Sequence, residues 1–390
     1  MNAPNRVGLI LEPLDVLFFR DGRPFGAATR AGGVFPVPQT LAGALWTALL
    51  EQHGCDFAKL AALVKSAIRP LHPDWFADVL PNCGAPRWIA QIAVRGPWLA
   101  EVPAHTFDGP PCVLFPTPAI VHGPKKSKDG PLTTVMPMTS RRIPGWSESC
   151  EDQEALAPLW RTGREATEPI GGFLTAAGMA ALLQGKEMPR QEWRAAQELL
   201  ESDNRTGIMI DPERLTAAES QIYGASFLAL ARSVVRGPDQ TRYSVAFYAE
   251  VDLPADAPHN ALEGCRVLAF GGEGRRVAVR SVPCLDVESL EPPSSGGKPF
   301  LVLTTPGLFE GWRPAKLDKC LRAAAAPPPL AVSGWDLARG GPKPTRFAAS
   351  AGSVYFLDRI PDDLGPSLCD NLWDQRQGWG LYFKGTWTDA

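Results

Sequence analysis

The chain has no C-x-x-C pair among its 8 cysteines, no H-E-x-x-H, no G-x-S-x-G, and only 5 histidines in 390 residues. These absences exclude the usual local constellations that hold zinc, run a thiol–disulfide cycle or present an activated serine. His53, His72, His105, His122 and His259 lack metal-ligand spacing, and none adjoins a Ser or Cys in a nucleophile motif. No carboxylate pair stands out for acid–base work. No run reaches the roughly 18 apolar residues that a membrane helix needs, and no basic segment with an apolar signal core opens the chain. The expected setting is therefore the cytoplasm, with no membrane, no cofactor and no metal. There Cys55, Cys83, Cys112, Cys150, Cys265, Cys284, Cys320 and Cys369 are expected as reduced thiols. The formal net charge of -3 also excludes attraction of a polyanion by the chain as a whole, so such a partner must be met by local patches.

What is present is ordinary globular material. At about 150 residues per domain the length allows two or three domains. Hydrophobic content is 45%, and 12 Trp can build a large core. Pro 39 and Gly 37 are both high, which puts much of the length into turns.

The chain is organised around Leu9 to Phe25, LILEPLDVLFFRDGRPF. Leu9, Leu11, Leu14, Val16, Phe18 and Phe19 suit a buried strand kinked at Pro13. The β pattern then stops at Arg20-Asp21-Gly22-Arg23-Pro24, where Asp-Gly can supply a positive φ and Pro24 keeps Arg23 extended. Arg20 and Arg23 thus stand on a stiff turn. They are either solvated surface charges or guanidinium forks for a phosphate.

Thr40 to Gln52 has helical spacing, with Leu41, Leu45, Leu49 and Trp46 on one side and Thr40 as a candidate cap. Trp88 to Val94 is a candidate second strand and Cys112 to Phe115 a third. A strand leading into a helix and then two strands suits a β-α-β-β unit of ferredoxin-like type. Pro124 to Arg142 holds Lys125, Lys126, Lys128, Arg141 and Arg142 against Asp129 alone, with Thr133, Thr134, Val135, Met136 and Met138 between. A basic-flanked hairpin finger and a solvated insertion both fit that pattern.

Phe173 to Leu183 and Arg190 to Leu200 are expected as short helices. Asn204 to Asp211 places Arg205 on a polar turn before a short strand. Thr216 and Glu219 have capping-box spacing, so Leu215 to Tyr223 is expected as a helical turn. Phe227 to Val235 and Tyr243 to Val251 are expected as a hairpin joined through Arg236-Gly237-Pro238-Asp239. Val267 to Phe270 and Val277 to Val282 form another, through Gly271-Gly272-Glu273-Gly274-Arg275-Arg276. In that turn the glycines would let backbone amides approach an anion and the arginines add charge. Phe300 to Thr304 and Val354 to Leu357 are further strands, and Ala323 to Pro329 is low-complexity. Gly378 to Gly385 has a G-x-G-x-x-x-x-G pattern with no helix after it, so it is neither a Walker loop nor a dinucleotide fingerprint.

Taken together, several stretches resemble one family. They are LEPLDVLFFRDGRPF (11–25), GGFLTAAG (171–178), NRTGIMIDPERLTAAESQIY (204–223), GGEGR (271–275), Gly334-Trp335-Asp336, AGSVYF (351–356) and the closing glycine pattern. In that order they resemble the third-subunit family of the Cmr, or type III-B, CRISPR effector complex, within the RAMP superfamily. The resemblance runs from residue 11 to residue 387. It implies an α+β fold of two ferredoxin-like (RRM-type) domains packed together, with loop insertions. The expected division is 1–210, with a basic insertion near 124–145 and a mainly helical one near 146–203, followed by 211–390 with the Gly-rich loops.

The resemblance also implies a non-catalytic subunit that holds the 5′ repeat-derived tag of the CRISPR RNA. Its implied partners are the large polymerase-like subunit and the adjacent backbone RAMP subunit. The motif match places RNA contacts at Arg20, Arg23, Arg205, Gly271, Gly272, Gly274 and Arg275, and Arg276 is added as the next charge of the same turn. Lys125, Lys126, Lys128, Arg141 and Arg142 are added from charge alone, since their insertion matches no motif of the family. Sheet-face aromatics of the usual RRM kind are not evident, which favours recognition through loops. Two alternatives stay open: a metal-independent endoribonuclease of the same superfamily that processes CRISPR RNA, and a purely structural adaptor.

Overall fold

A computed structural model describes residues 5–388 except 21–29, 32–34, 68–71, 105–109, 126–129, 139–155, 162, 164, 211–212, 215, 288, 293–296 and 337–338. Its spine is the opening strand, Asn5–Pro13. This strand is hydrogen-bonded antiparallel to Thr241–Leu253 on one side and to Arg276–Val282 on the other. From Thr241–Leu253 the sheet continues through Ala93–Pro103, Cys112–Pro116, Phe173–Thr175 and Trp193–Arg194, and its other edge is Val267–Ala269. With Val234–Arg236 this makes nine strands among the described residues, all paired antiparallel.

The apolar runs of the central strands arise because both faces of this sheet are covered. On one face Leu9, Leu11, Val245, Phe247, Ala249 and Val251 pack under the helix Pro38–Gln52, through Leu41, Leu45 and Leu49. On the other, Ile10, Trp98, Ala100, Phe115, Ala246 and Tyr248 meet a second antiparallel sheet. Its order is Leu321–Ala325, Val354–Leu357, Lys298–Leu303, Tyr382–Trp387. Phe115 and Phe383 meet edge-on at 4.9 Å across the interface. The chain is thus a mixed α/β protein built mostly of antiparallel sheet. Strands from both sides of residue 210 share the nine-stranded sheet, so the expected boundary at 210/211 cuts through a hydrogen-bonded sheet rather than falling between packed units.

Several local expectations hold. The third strand, the hairpin of Val267–Ala269 with Arg276–Val282, the strands near 300 and 354, and the helix after residue 38 are all present, whereas of the expected strand 227–235 only Val234 and Val235, with Arg236, pair across the Gly237 turn, and Phe227–Leu230 joins another sheet. Others give way to tertiary context. The helix begins at Pro38 with Val37 as its N-cap, so Thr40 lies inside the first turn and caps nothing. Proline suits that position because the N–H it lacks would have no partner there. Arg87–Gln91 is a 3-10 turn that buries Trp88, Ile89 and Ala90 together, and strand begins only at Ala93. Phe173–Thr175 is strand, and Thr175 then caps the helix Ala176–Leu183 by accepting from the Gly178 amide. Only Ala196–Leu199 of the expected helix 190–200 is α-helical. The low-complexity alanines lie in the edge strand Leu321–Ala325.

The interior holds two carboxylates on the nine-stranded sheet. Glu101 faces Arg236 Nε at 2.7 Å and Arg194 Nε at 3.1 Å. Glu250, 1% exposed, lies 3.2 Å from Arg95 and 3.7 Å from Arg6. Its other oxygen accepts from the Tyr248 hydroxyl at 2.8 Å and the Leu285 amide at 3.0 Å. Burial pushes the Tyr248 phenol far above its ordinary range, so it stays a donor. Removing one member of a buried charge cluster leaves the others uncompensated. Glu250→Ala should therefore cost about 3–5 kcal/mol, whereas Arg6→Ala at the rim should cost about 1 kcal/mol or less. Equilibrium denaturation of both variants checks the ranking, and equal costs would show that the cluster is not a buried one. A second check uses Cys369, which is fully buried and whose thiol is pushed up to about 11. It is neutral at pH 8 and should resist alkylation there until the protein is unfolded, as mass spectrometry of labelled peptides would show.

Candidate nucleic-acid interface

The opening strand does not run on to Phe19. It breaks at Pro13, and the Leu14 amide donates to the Arg276 carbonyl at 3.1 Å. The chain then crosses to a long hairpin, Leu200–Ile210 paired antiparallel with Ala217–Leu230. The joint is Leu17, whose amide donates to the Leu228 carbonyl at 2.8 Å while its carbonyl accepts from the Leu228 amide at 2.7 Å. This hairpin overturns two expectations. Arg205 sits in mid-strand opposite Ala225 rather than on a turn, and the Thr216/Glu219 signal lies in and beside a strand rather than a helix. A capping box is a local signal, and long-range strand pairing overrides it.

The Leu17 joint sets Phe18 against Phe227, with ring centroids 5.0 Å apart. Phe227 in turn supports two guanidiniums. The Arg205 Cζ lies 4.9 Å and the Arg275 Cζ 4.8 Å from its ring centroid. Arg275 comes from the Gly-rich turn, which packs onto the same segment. The Gly272 amide donates to the Phe18 carbonyl at 2.8 Å, and the Arg275 amide closes the turn on the Gly272 carbonyl. Gly271, at φ +95, could carry no side chain, since a Cβ there would lie 2.5 Å from the Phe18 carbonyl oxygen. The Gly272 amide expected to face an anion is thus spent inside the protein, and Gly271 serves close packing.

Both arginines are held by carboxylates. Arg275 Nη1 lies 2.6 Å from Asp15 Oδ2. Arg205 donates through Nε and Nη2 to Asp203 Oδ2, at 3.1 and 2.7 Å. That bond is the main reason the Arg205 guanidinium is raised above its ordinary range. The Val16 amide, followed by the Arg275 and Arg205 charges, holds the Asp15 carboxyl below the usual range. Its folded value therefore lies below its unfolded one. The pairing is complete above about pH 4 and is lost as pH falls through the folded value.

Guanidinium planes over an aromatic ring, beside an exposed strand, are groups with which a protein can hold single-stranded nucleic acid. The planes take phosphates in forked contacts and offer faces on which bases stack. Three of the sequence stretches thus meet at one place: residues 14–20, 203–205 and 270–276. Arg20 is exposed at the end of the first, and Arg276 is exposed at the edge of the turn. Gly274 lies in the same turn at φ +65.

Arg23, Lys126, Lys128, Arg141 and Arg142 lie outside the described residues. Lys125 belongs elsewhere, its amide donating to the Ala166 carbonyl. The Thr/Val/Met centre of that insertion is not a projecting finger. Thr133–Thr134 pairs with Val121–His122, Met136–Pro137 pairs with Leu159–Trp160, Leu132 is buried in the second core, and Met138 is buried. Phe18, Phe227, Asp15 and Asp203 are site members that motif reasoning missed. The available signal was the Val16/Phe18 alternation inside the stretch already singled out; Phe227 had none, being one apolar residue in a long strand.

A family model described as "CRISPR-associated protein (Cas_Cmr3)" matches residues 9–387. No curated protein matches in sequence. Among solved structures the chain is similar to one in "Cryo-EM structure of the Type III-B Cmr-beta bound to cognate target RNA" at 16% identity and TM-score 0.45, covering 90% of this chain and 86% of that one. The corresponding AMPPnP-bound state gives the same identity and coverage with TM-score 0.46. A chain in "Crystal structure of Csm3-Csm4 subcomplex in the type III-A CRISPR-Cas interference complex" is 12% identical over 91% of this chain and 94% of that one, with TM-score 0.40.

The packing of the Gly-rich turn is open to a direct test. Gly274→Ala places alanine at φ +65 in open space and should cost about 1–2 kcal/mol. Gly271→Ala adds the clash with the Phe18 carbonyl and should cost about 3 kcal/mol or more. Denaturant titration compares the two, and equal losses would show that the turn is not anchored on residue 18.

Proposed function

Because the chain belongs to the Cas_Cmr3 family of CRISPR-associated proteins, we propose that it is a non-catalytic RNA-binding subunit of a type III-B (Cmr) effector complex that holds the 5′ repeat-derived tag of the CRISPR RNA. The observation that carries this reading is the convergence of Arg205 and Arg275 on Phe227, from stretches far apart in sequence. A tag is single-stranded, with splayed bases and regularly spaced phosphates. Stacking planes that also carry charge suit it. Arg20, Arg23 and Arg276 extend the same contact in this reading, and the lysines and arginines of 125–142 add basic charge outside it.

The net charge of -3 supports a division of labour in which the lone chain binds RNA weakly and the assembled complex binds it tightly. Docking falls to the large polymerase-like subunit and the adjacent backbone RAMP subunit. Exposed Trp335 and Phe347 supply apolar surface of the kind such contacts use. The two packed antiparallel sheets stand, in this reading, for the pair of ferredoxin-like units of the RAMP superfamily, the second beginning beyond the nine-stranded sheet.

The test is tag retention by the assembled complex. Arg205→Ala and Arg275→Ala should each weaken it by about 1.5–3 kcal/mol, the worth of a charge-assisted hydrogen bond, without lowering the melting temperature of the subunit. Arg275→Lys should also weaken it, because an ammonium makes neither the fork nor the planar stack. Unchanged retention in all three, with tag crosslinks elsewhere, would leave a structural adaptor. Cleavage of repeat RNA by the purified chain would replace the reading with a processing ribonuclease.

A further inference from the structure

The site described above is electrically closed, since each guanidinium on Phe227 already has a carboxylate. The two pairings differ in quality. Asp203 engages Arg205 through both Nε and Nη2. Asp15 engages Arg275 through Nη1 only, and Nη2, the second prong of that end-on edge, has no hydrogen bond among the described residues. One prong of that fork is therefore unused.

We propose that Asp15 is a built-in phosphate surrogate, holding the place on Arg275 that an RNA phosphate takes and setting a threshold that non-cognate polyanions fail to cross. The inference rests on the reading of the Phe227 cluster as an RNA contact. The Asp15 carboxylate is no loose surface acid. Its segment is tied to Arg276 through the Leu14 amide, and the Val16 amide bonds the carboxylate itself. It stands close enough to both guanidiniums to stabilise each. Yet it is a poor competitor for a phosphate, which presents enough oxygens to take Nη1 and Nη2 together. Once displaced, the carboxylate has room. Asp15 borders a cleft of about 240 Å³ lined also by Glu12, Val16, Ala229, Arg232 and Ser244.

A phosphate that only touches Arg275 gains little, because it must first break an existing ion pair. An RNA strand that also places a base on the arginine–aromatic surface offsets that cost. Asp15 thus converts an attractive basic patch into a selective one without altering the groups that make the contact.

The test measures binding of a short oligouridylate to the full chain across a salt series. Asp15→Asn should bind it about tenfold more tightly. Its slope of log K against log salt should be steeper by about one, since no displaced carboxylate takes up a cation and cancels a released counterion. In an Arg275→Ala background the same substitution should lose most of both effects, leaving only the weaker coupling to Arg205, which separates a local surrogate from a general change of net charge. Asp15→Ser, whose hydroxyl can still accept from the Val16 amide, serves if the asparagine variant melts early. Unchanged affinity and slope in both Asp15 variants, with Arg275→Ala weakening binding, would overturn the surrogate and leave the RNA site standing. Tightening that persists undiminished without Arg275 would also overturn it. No effect of Arg275→Ala would remove the RNA site and the surrogate together.

Discussion

The reciprocal pair of hydrogen bonds between Leu17 and Leu228 is the joint on which the candidate site depends. It fastens the long hairpin 200–230 to the segment that leaves the central strand at Pro13. Only through it does Phe18 reach Phe227, and only because the Phe18 carbonyl is held there can the Gly-rich turn dock its Gly272 amide. Backbone hydrogen bonds set this geometry, so it tolerates change in side chains better than change in backbone. That is why a methyl group at position 271 matters more than one at 274.

Behind this joint the scaffold is stiff. The opening strand sits between two antiparallel neighbours in a sheet covered on both faces. A site delivered from the end of such a strand starts in its binding geometry and loses little entropy on contact. The guanidiniums are ordered too, by the ring beneath them and the carboxylates beside them. The same carboxylates make the surface neutral before it meets a ligand. In the proposed role, affinity and selectivity come from what replaces those carboxylates, not from bulk charge, in keeping with a chain whose net charge is slightly negative.

Much was legible in the sequence where a signal is local. The Gly-Pro-Asp turn after Arg236 and the Gly-rich turn after Phe270 were visible as hairpins because such turns demand positive φ. Leu41, Leu45 and Leu49 announced a helix that buries one stripe. Signals failed where partners lie far away. Trp88 to Ala90 and the alanines after Leu321 are apolar runs whose period does not separate turn from strand. Thr216 and Glu219 carry a helix-start pattern inside a segment that pairs with strand 200–210.

The sequence by itself determined the absences, the two glycine hairpins, the helix under the sheet and the family, whose motifs lie in order from residue 11 to residue 387. It also singled out Arg20, Arg205 and Arg275. It could not say that Arg205 and Arg275 share one phenyl ring, that Gly272 spends its amide on Phe18, or that Asp15 and Asp203 hold the arginines. Those facts belong to tertiary structure. Residues 15, 18, 205, 227 and 275 are brought together by strand pairing across more than 200 positions, and no local periodicity records which distant strand a residue will face.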